Sequence, residues 1–429
     1  MGRQVAEALD ALRSLGTPDE MRAVAQQRDA PPERVNAHIH LPPNFSAFQS
    51  VEEAVRLAAE QGIGVLGVSN YYDYEVYGDF VRCARERGIF PLFGTEIICM
   101  DDALRDAGIK INDPGNPGKI YFCGKGITRF EELTPEAARL IERIRRNDAA
   151  RMAQMVERME RLFTERGLKT GVDEEAVVDM IVRRHGSDRD TVWLQERHVS
   201  QAFQEALFEK VEPEARIERL GRILGAETKA NDADDHVTVQ NDVRSQLMKA
   251  GKPAFVEETF ISFDEAHRLI LELGGIPCYP TLADGASPIC PFEQSPDELI
   301  AAIKARNIHA AEYIPVRNEI RVLREYVPKM RDAGLAITAG TEHNTLDLVP
   351  LDPFCKDGDV PDDLRAIFWE GACVVAGHQF LSLHGECGFV DGEGNPNPNY
   401  SSADERIRAF AGIGAAVIER YRDRGGVLE

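Results

Sequence analysis

The sequence predicts an α/β protein, a parallel β/α barrel with a helical segment let into it. Three observations carry that prediction. Short apolar runs alternate with amphipathic ones over residues 35–125 and again from 255 to 340, the pattern of strands followed by crossover helices. Several runs end in, or lead straight into, side chains of ligand chemistry: His38 and His40, Asn70, Glu96, and Glu342 with His343. In a parallel barrel such strand ends share one face. Residues 134–251, by contrast, read as helix upon helix.

At 429 residues the chain exceeds the usual size of one hydrophobic core, so a barrel with an elaboration is expected. Its 43% hydrophobic and 28% charged residues are ordinary for a globular protein. The net charge of −22 argues against nucleic acid or an anionic membrane as partner, because phosphate backbones are bound by clustered Lys and Arg. A small anionic substrate held through a metal stays compatible with that charge. No run approaches the roughly 20 apolar residues of a membrane span, and the first residues lack an apolar signal core, so a cytoplasmic location is expected. The eight cysteines form no C-x-x-C pair and fit reduced core thiols. Nothing in the sequence fixes the oligomeric state.

Residues 1–32 read as an N-terminal helical extension closed by Pro31-Pro32. The barrel is expected over 33–130 and 252–385. Its first strand, 35–40, precedes a capping box at Ser50-Val51-Glu52-Glu53 that opens a helix through Gln61, with Gly62 at its end. A strand over 64–70, a helix over 78–87, and strands over 90–96 and 120–124 follow. The insertion, 131–251, starts at Thr134-Pro135-Glu136, a cap, an N1 proline and a first-turn acid. Its Leu140, Ile141, Ile144, Met152, Met155, Val156, Met159 and Leu162 recur at helical spacing, and the methionines read as core. Alternation resumes with helices over 263–273, 296–306 and 319–333 and strands over 275–280, 310–313 and 335–340. Helices over 364–371 and 402–424 close the chain, and residues 386–429 form the C-terminal loop and helix.

Side chains two apart on a strand share a face, so His38 and His40 can reach one ion together. Imidazole is the commonest protein ligand for zinc and related metals, and two from one rigid strand form a pre-aligned half-site.

With His38-Ile39-His40 as H-x-H, Gly94-Thr95-Glu96 as G-x-E, and Gly340-Thr341-Glu342-His343-Asn344 approximating G-[ST]-D-x-H, the chain resembles the polymerase and histidinol phosphatase (PHP) family of metal-dependent hydrolases. The resemblance implies a distorted (βα)7-type, TIM-like barrel binding up to three metals for phosphoester hydrolysis, and spans roughly residues 35–125 and 255–345. Departures from the pattern are informative. Ser69-Asn70-Tyr71 stands where the family has T-D-H, Tyr121 where it has a strand histidine, and Cys278-Tyr279-Pro280 where it has A-H-P; Asn44, Phe45 and Ser46 replace an early acid. The resemblance therefore implies one retained metal, on His38, His40, Glu96 and Glu342. A second would need histidines at Tyr121 and Tyr279. A third would need an acid near Phe45 and histidines at Tyr71 and Asn344. A neutral phenol of pKa near 10 is a poor ligand.

His343 is open as the fourth ligand in place of Glu342, as general base, or as support. Tyr121 and Tyr279 are candidate catalytic donors to an oxyanion, and Tyr71 a candidate substrate contact. Glu196-Arg197-His198 resembles the R-x-H segment with which some family members contact phosphate, so Arg197 and His198 are expected at an anionic substrate. Arg317 is a weaker candidate, and His378 and His384 read as structural. The expectation is a hydrolase with one divalent transition metal ion (Zn, Mn or Fe), a phosphoesterase by resemblance. A carboxylic ester, amide or lactone hydrolase, or a non-catalytic binding protein with a structural ion, are the alternatives.

Overall fold

The computed structural model describes residues 9–26 and 31–425; the outer parts of the N-terminal extension, 1–8 and 27–30, and the final residues 426–429 lie outside these. The predicted alternation folds into one sheet in the order β1 (Val35–Ile39), β2 (Val65–Val68), β3 (Phe90–Met100), β4 (Lys119–Lys125), β6 (Ile276–Thr281), β7 (Ala310–Tyr313), β8 (Ala336–Ala339), with the two-residue β5 (Ile261–Ser262) beside the end of β3. Ile39 bridges Glu342 in parallel, and two backbone bonds of 2.8 Å, His40 N–H to Glu342 C=O and Glu342 N–H to His38 C=O, draw β8 onto β1 and nearly close the barrel. Gly340 permits that approach, since a Cβ there would lie 2.4 Å from the His38 Cβ. These strands are almost wholly buried, as expected where helices cover a parallel sheet.

Not every strand is parallel. β4 runs antiparallel to both β3 and β6. A parallel return needs a crossover long enough to span the barrel, usually a helix. The connector over 101–118 holds only the five-residue helix Asp102–Asp106, so the chain turns back where β3 ends.

That reversal changes how the insertion reaches the site. Loops after parallel strands emerge on the C-terminal face, but β4 ends at the opposite rim, where Thr134 donates to Glu272 at the end of the helix preceding β6. The helix Pro135–Glu165 carries the chain back, spanning about 46 Å at 1.5 Å per residue. Its first half packs Leu140, Ile141 and Ile144 into the barrel core. Its second half places Met152, Met155, Val156, Met159 and Phe163 in a separate core with the helices Glu174–His185, Glu196–Lys210 and Pro213–Leu224.

The segment expected to hold a short helix over 364–371 is one helix, Asp362–Leu383, apolar on nearly all faces because it is buried between β8 and the C-terminal helix Ala403–Gly425. His378 lies within it, and the helix Pro18–Ala25 packs on the C-terminal helix. Among the described residues no helix is long and apolar enough to cross a membrane.

Candidate metal centre and its cavity

β1 ends with His38 and His40 turned inward, fully buried. His38 Nε2 and His40 Nε2 stand 3.3 Å apart, and Glu96 Oε2, from the middle of β3, lies 3.2 Å from the first and 3.3 Å from the second. Three atoms able to offer lone pairs thus converge on one point, an arrangement suited to holding a cation between them. Donors 2.0–2.2 Å from a tetrahedral or octahedral ion stand roughly 3.0–3.5 Å from one another, so the spacing fits. Glu96 Oε2, buried and without a hydrogen-bond donor, is an orphan such an ion would satisfy.

The other half of each group is tied. Tyr71 O–H donates a short hydrogen bond to Glu96 Oε1, and its ring stacks on His40 with centroids 5.0 Å apart. His38 Nδ1 meets Glu312 Oε2 at 2.6 Å, and Glu312 Oε1 meets the buried Lys125 ammonium at 2.5 Å. Burial opposes a charged imidazole at His38, yet the Glu312 carboxylate outweighs it and raises the pKa to about 9. Glu96 is held well below the usual carboxylate range: burial works against this, and the adjoining imidazoles of His38 and His40 overcome it. Lys125 reaches the centre because Tyr121, Cys123 and Lys125 occupy one face of β4. Cys123 has its sulfur within 4.8 Å of ligand atoms of His38 and Glu96, but burial and Glu312 keep the thiol protonated.

Glu96 and Glu312 form part of the floor of a cavity of about 510 Å³ between barrel and insertion, beneath which His38 and His40 are buried. Tyr71, Tyr121 and Phe45 line it, and Leu194 to Arg197, Arg244 and Lys249 supply its cap side. Tyr121 O–H has no hydrogen-bond partner among the described residues. Arg197 lines the cavity over the Phe45 ring with no ion pair among the described residues, its pKa drawn down to about 10 by burial and by Arg244.

Four expected roles are not supported by the placement of the side chains. Glu342, expected as the fourth ligand, lines the cavity, but its carboxylate is gripped by both terminal nitrogens of Arg317 and by Asn344 Nδ2 at 2.8 Å. Positive φ at Glu342 (60°) and His343 (53°) marks the turn that points it there. His343, left open as ligand, base or support, has both ring nitrogens engaged, Nδ1 with Thr341 Oγ1 at 2.7 Å and Nε2 with Val349 C=O at 2.9 Å, and it stacks on Phe48, which favours neither ligand nor base. Tyr279 faces out of the barrel and donates to Glu293 at 2.7 Å; the inward positions of β6 are Cys278 and Pro280, paired with Cys123 and Glu312. His198 accepts from Gln195 N–H as a helix cap and faces a different hollow, beside His185 and His236. Tyr71 lines the cavity as expected, with its hydroxyl spent on Glu96.

Sequence reasoning passed over Glu312 and Lys125. Each had a signal: a charged residue inside an apolar strand, as in Ala310-Ala311-Glu312-Tyr313, is costly to bury unless paired.

Comparison with solved structures adds to the barrel. This chain is similar to a protein from Bifidobacterium adolescentis provisionally described as a metal-dependent phosphoesterase, at 14% identity and a TM-score of 0.53, covering 79% of this chain and 96% of that one. The likeness shows the fold. An amidohydrolase from Chromobacterium violaceum, with bound sulfate and no metal, matches at 15% identity and a TM-score of 0.49, over 78% of this chain and 96% of that one. No family model and no curated protein matches the sequence.

Proposed function

We propose that this chain is a metal-dependent hydrolase with a mononuclear centre, His38, His40 and Glu96 holding one divalent transition ion (Zn, Mn or Fe), and that it acts on a phosphoester. The observation that carries the reading is the convergence of three donor atoms, 3.2–3.3 Å apart, beneath a cavity whose insertion side carries Arg151, Arg197, Arg244 and Lys249. Three protein ligands and an open side facing a cavity are the mark of a catalytic rather than a structural site.

When bound, the ion would polarise the substrate and make a bound water acidic near neutral pH. The chain's own residues do the rest. Glu312 fixes the proton of His38 on Nδ1 and so keeps the Nε2 lone pair toward the centre. Tyr71 fixes one oxygen of Glu96 and leaves the other free. Tyr121 is placed to donate its unpaired O–H to a developing oxyanion, and Arg197 supplies counter-charge to an anionic substrate. The phosphoester choice rests on the motif resemblance and on the cations that the insertion brings to one side of the cavity. A carboxylic ester, amide or lactone is the second reading, favoured by the engagement of Glu342 with Arg317 and of Tyr279 with Glu293, which leaves a second ion poorly served.

Elemental analysis after purification should find close to one transition ion per chain, lost in His38→Ala and His40→Ala. A panel of phosphate monoesters, phosphodiesters, carboxylic esters, amides and lactones should then show metal-dependent turnover that Glu96→Gln abolishes. An ion retained in the double histidine variant, or no turnover on any substrate, would end the proposal.

A further inference from the structure

The cap side of the cavity carries more positive charge than its acids neutralise. Glu196, the first residue of its helix, receives three cations: Arg151 Nη2 at 2.5 Å on Oε1, and Arg244 Nε at 3.1 Å with Lys249 Nζ at 2.6 Å on Oε2. Arg151 has Glu258 within 3.5 Å as a second partner. Arg244 and Lys249 have only the one shared oxygen among the described residues, and both terminal nitrogens of Arg244 are without a partner there. Arg197, adjacent in sequence, has no ion pair among the described residues, and the acid that acts on it, Glu342, is bound to Arg317. Arg244 and Lys249 thus share one carboxylate oxygen, with Arg197 on the same side of a partly enclosed space, although the chain as a whole carries −22.

Such a cluster is self-repelling: burial first, and Arg244 with it, lower the pKa values of Arg197 and Lys249 against the opposing pull of Glu342 on the one and Glu196 on the other. The local backbone is also unusual. The helix His236–Val243 widens into a π-helical turn, Arg244–Met248, a distortion that places Arg244 and Lys249 at its two ends beside the same carboxylate. The guanidinium forks of Arg197 and Arg244 and the ammonium of Lys249 make up the donor set that grips a tetrahedral or planar oxyanion.

We propose that Arg197, Arg244 and Lys249 form a second anion subsite, independent of the metal, and that the substrate is a small molecule carrying a non-reacting phosphate or carboxylate apart from the ester that meets His38, His40 and Glu96. The reacting end of that substrate rests on the hydrolase reading above; the anion subsite does not. Glu196 holds Arg244 and Lys249 together and leaves the terminal nitrogens of Arg244 for the ligand, while Arg197 lines the same cavity without an ion pair among the described residues. A cavity of about 510 Å³ accommodates a molecule with two such ends.

The test is calorimetric titration of inorganic phosphate, and in parallel of succinate, into protein stripped of metal by a chelator. Phosphate should bind the stripped wild type and the His38→Ala/His40→Ala variant alike. Arg244→Ala/Lys249→Ala, and separately Arg197→Ala, should weaken binding at least tenfold, with circular dichroism and Tm as the check on folding. Should Arg244→Ala disturb the cap, Arg244→Gln removes the charge with less loss of packing. Whichever anion binds more tightly names the group. Failure of both anions to bind the stripped wild type, binding indifferent to the three cations, or binding lost with His38 and His40 would each overturn the subsite. None of these outcomes depends on turnover, so the hydrolase reading stands or falls separately.

Discussion

His38 Nδ1 lies 2.6 Å from Glu312 Oε2, joining the end of β1 to β7 across the barrel interior, and the same carboxylate lies 2.5 Å from Lys125 on β4. One buried acid thereby sets the orientation of a ligand and has its charge balanced by a lysine instead of solvent. Removing it should be felt at the metal first. In Glu312→Gln the amide can still accept from His38 but no longer raises its basicity, and metal affinity is expected to fall roughly 10–100-fold. Competition with a chromophoric chelator measures this directly; unchanged affinity would leave Glu312 as a packing residue only.

Tyr121 offers a separate test of chemistry. Its O–H has no partner among the described residues and is not part of the donor set, so Tyr121→Phe should leave metal content at the wild-type level. If the phenol stabilises an oxyanion, kcat falls about 100-fold, the usual scale for one such donor, with little change in KM. A KM effect alone would place it in ground-state binding.

Much of the centre was legible because it depends on local spacing. His38 and His40 are two apart on one strand, and Glu96 ends a run whose apolar positions could be counted. What was not legible depends on strand direction and on which way a side chain turns. Nothing local announced that β4 is antiparallel; the absence of a crossover helix over 101–118 was the available sign. The motif pattern placed Tyr279 as a ligand position, yet pairing of Pro280 with Glu312 sends Tyr279 outward. The insertion reaches the cavity by the length of one helix, which starts from the rim where the antiparallel β4 ends.

Stability should vary with pH in a way set by buried neutral histidines. His378 takes the Phe389 N–H on Nδ1 and donates from Nε2 to Gly274 C=O, both at 2.9 Å; burial lowers its pKa to about 4, partly opposed by the bond to Gly274. A folded-state pKa below the unfolded 6.5 means the unfolded chain binds the extra proton. Its contribution is therefore complete above pH 6.5 and lost as pH falls toward 4, up to about 3 kcal/mol at ~1.4 kcal/mol per unit. His309 and His343, each also near 4 through burial, act in the same direction. His38 carries the opposite sign in metal-free protein: with its pKa raised to about 9, its contribution is full below 6.5 and lost on going up to 9. Denaturant melts of metal-free protein should thus weaken from pH 6.5 to 4, with a shallower slope in His378→Gln. An unaltered slope in that variant would assign the effect to other groups.

The last prediction separates the donor set seen here from the one the motif pattern implies. By that pattern Glu342 completes the ligands, and Glu342→Gln should empty the site. In the structure the carboxylate belongs to Arg317 and Asn344, while the centre closes on His38, His40 and Glu96. Glu342→Gln should therefore keep its ion at wild-type stoichiometry and lose roughly 1–2 kcal/mol of stability, the scale of a charge-assisted pair in which the arginine is partly exposed. His343→Ala should likewise keep the ion. It should cost more stability, roughly 2–4 kcal/mol, because two hydrogen bonds and the stack on Phe48 disappear from a buried site. Elemental analysis alongside chemical melts decides the matter. Loss of the ion from folded Glu342→Gln protein would restore the acid to the ligand set and require Arg317 to release it when metal binds.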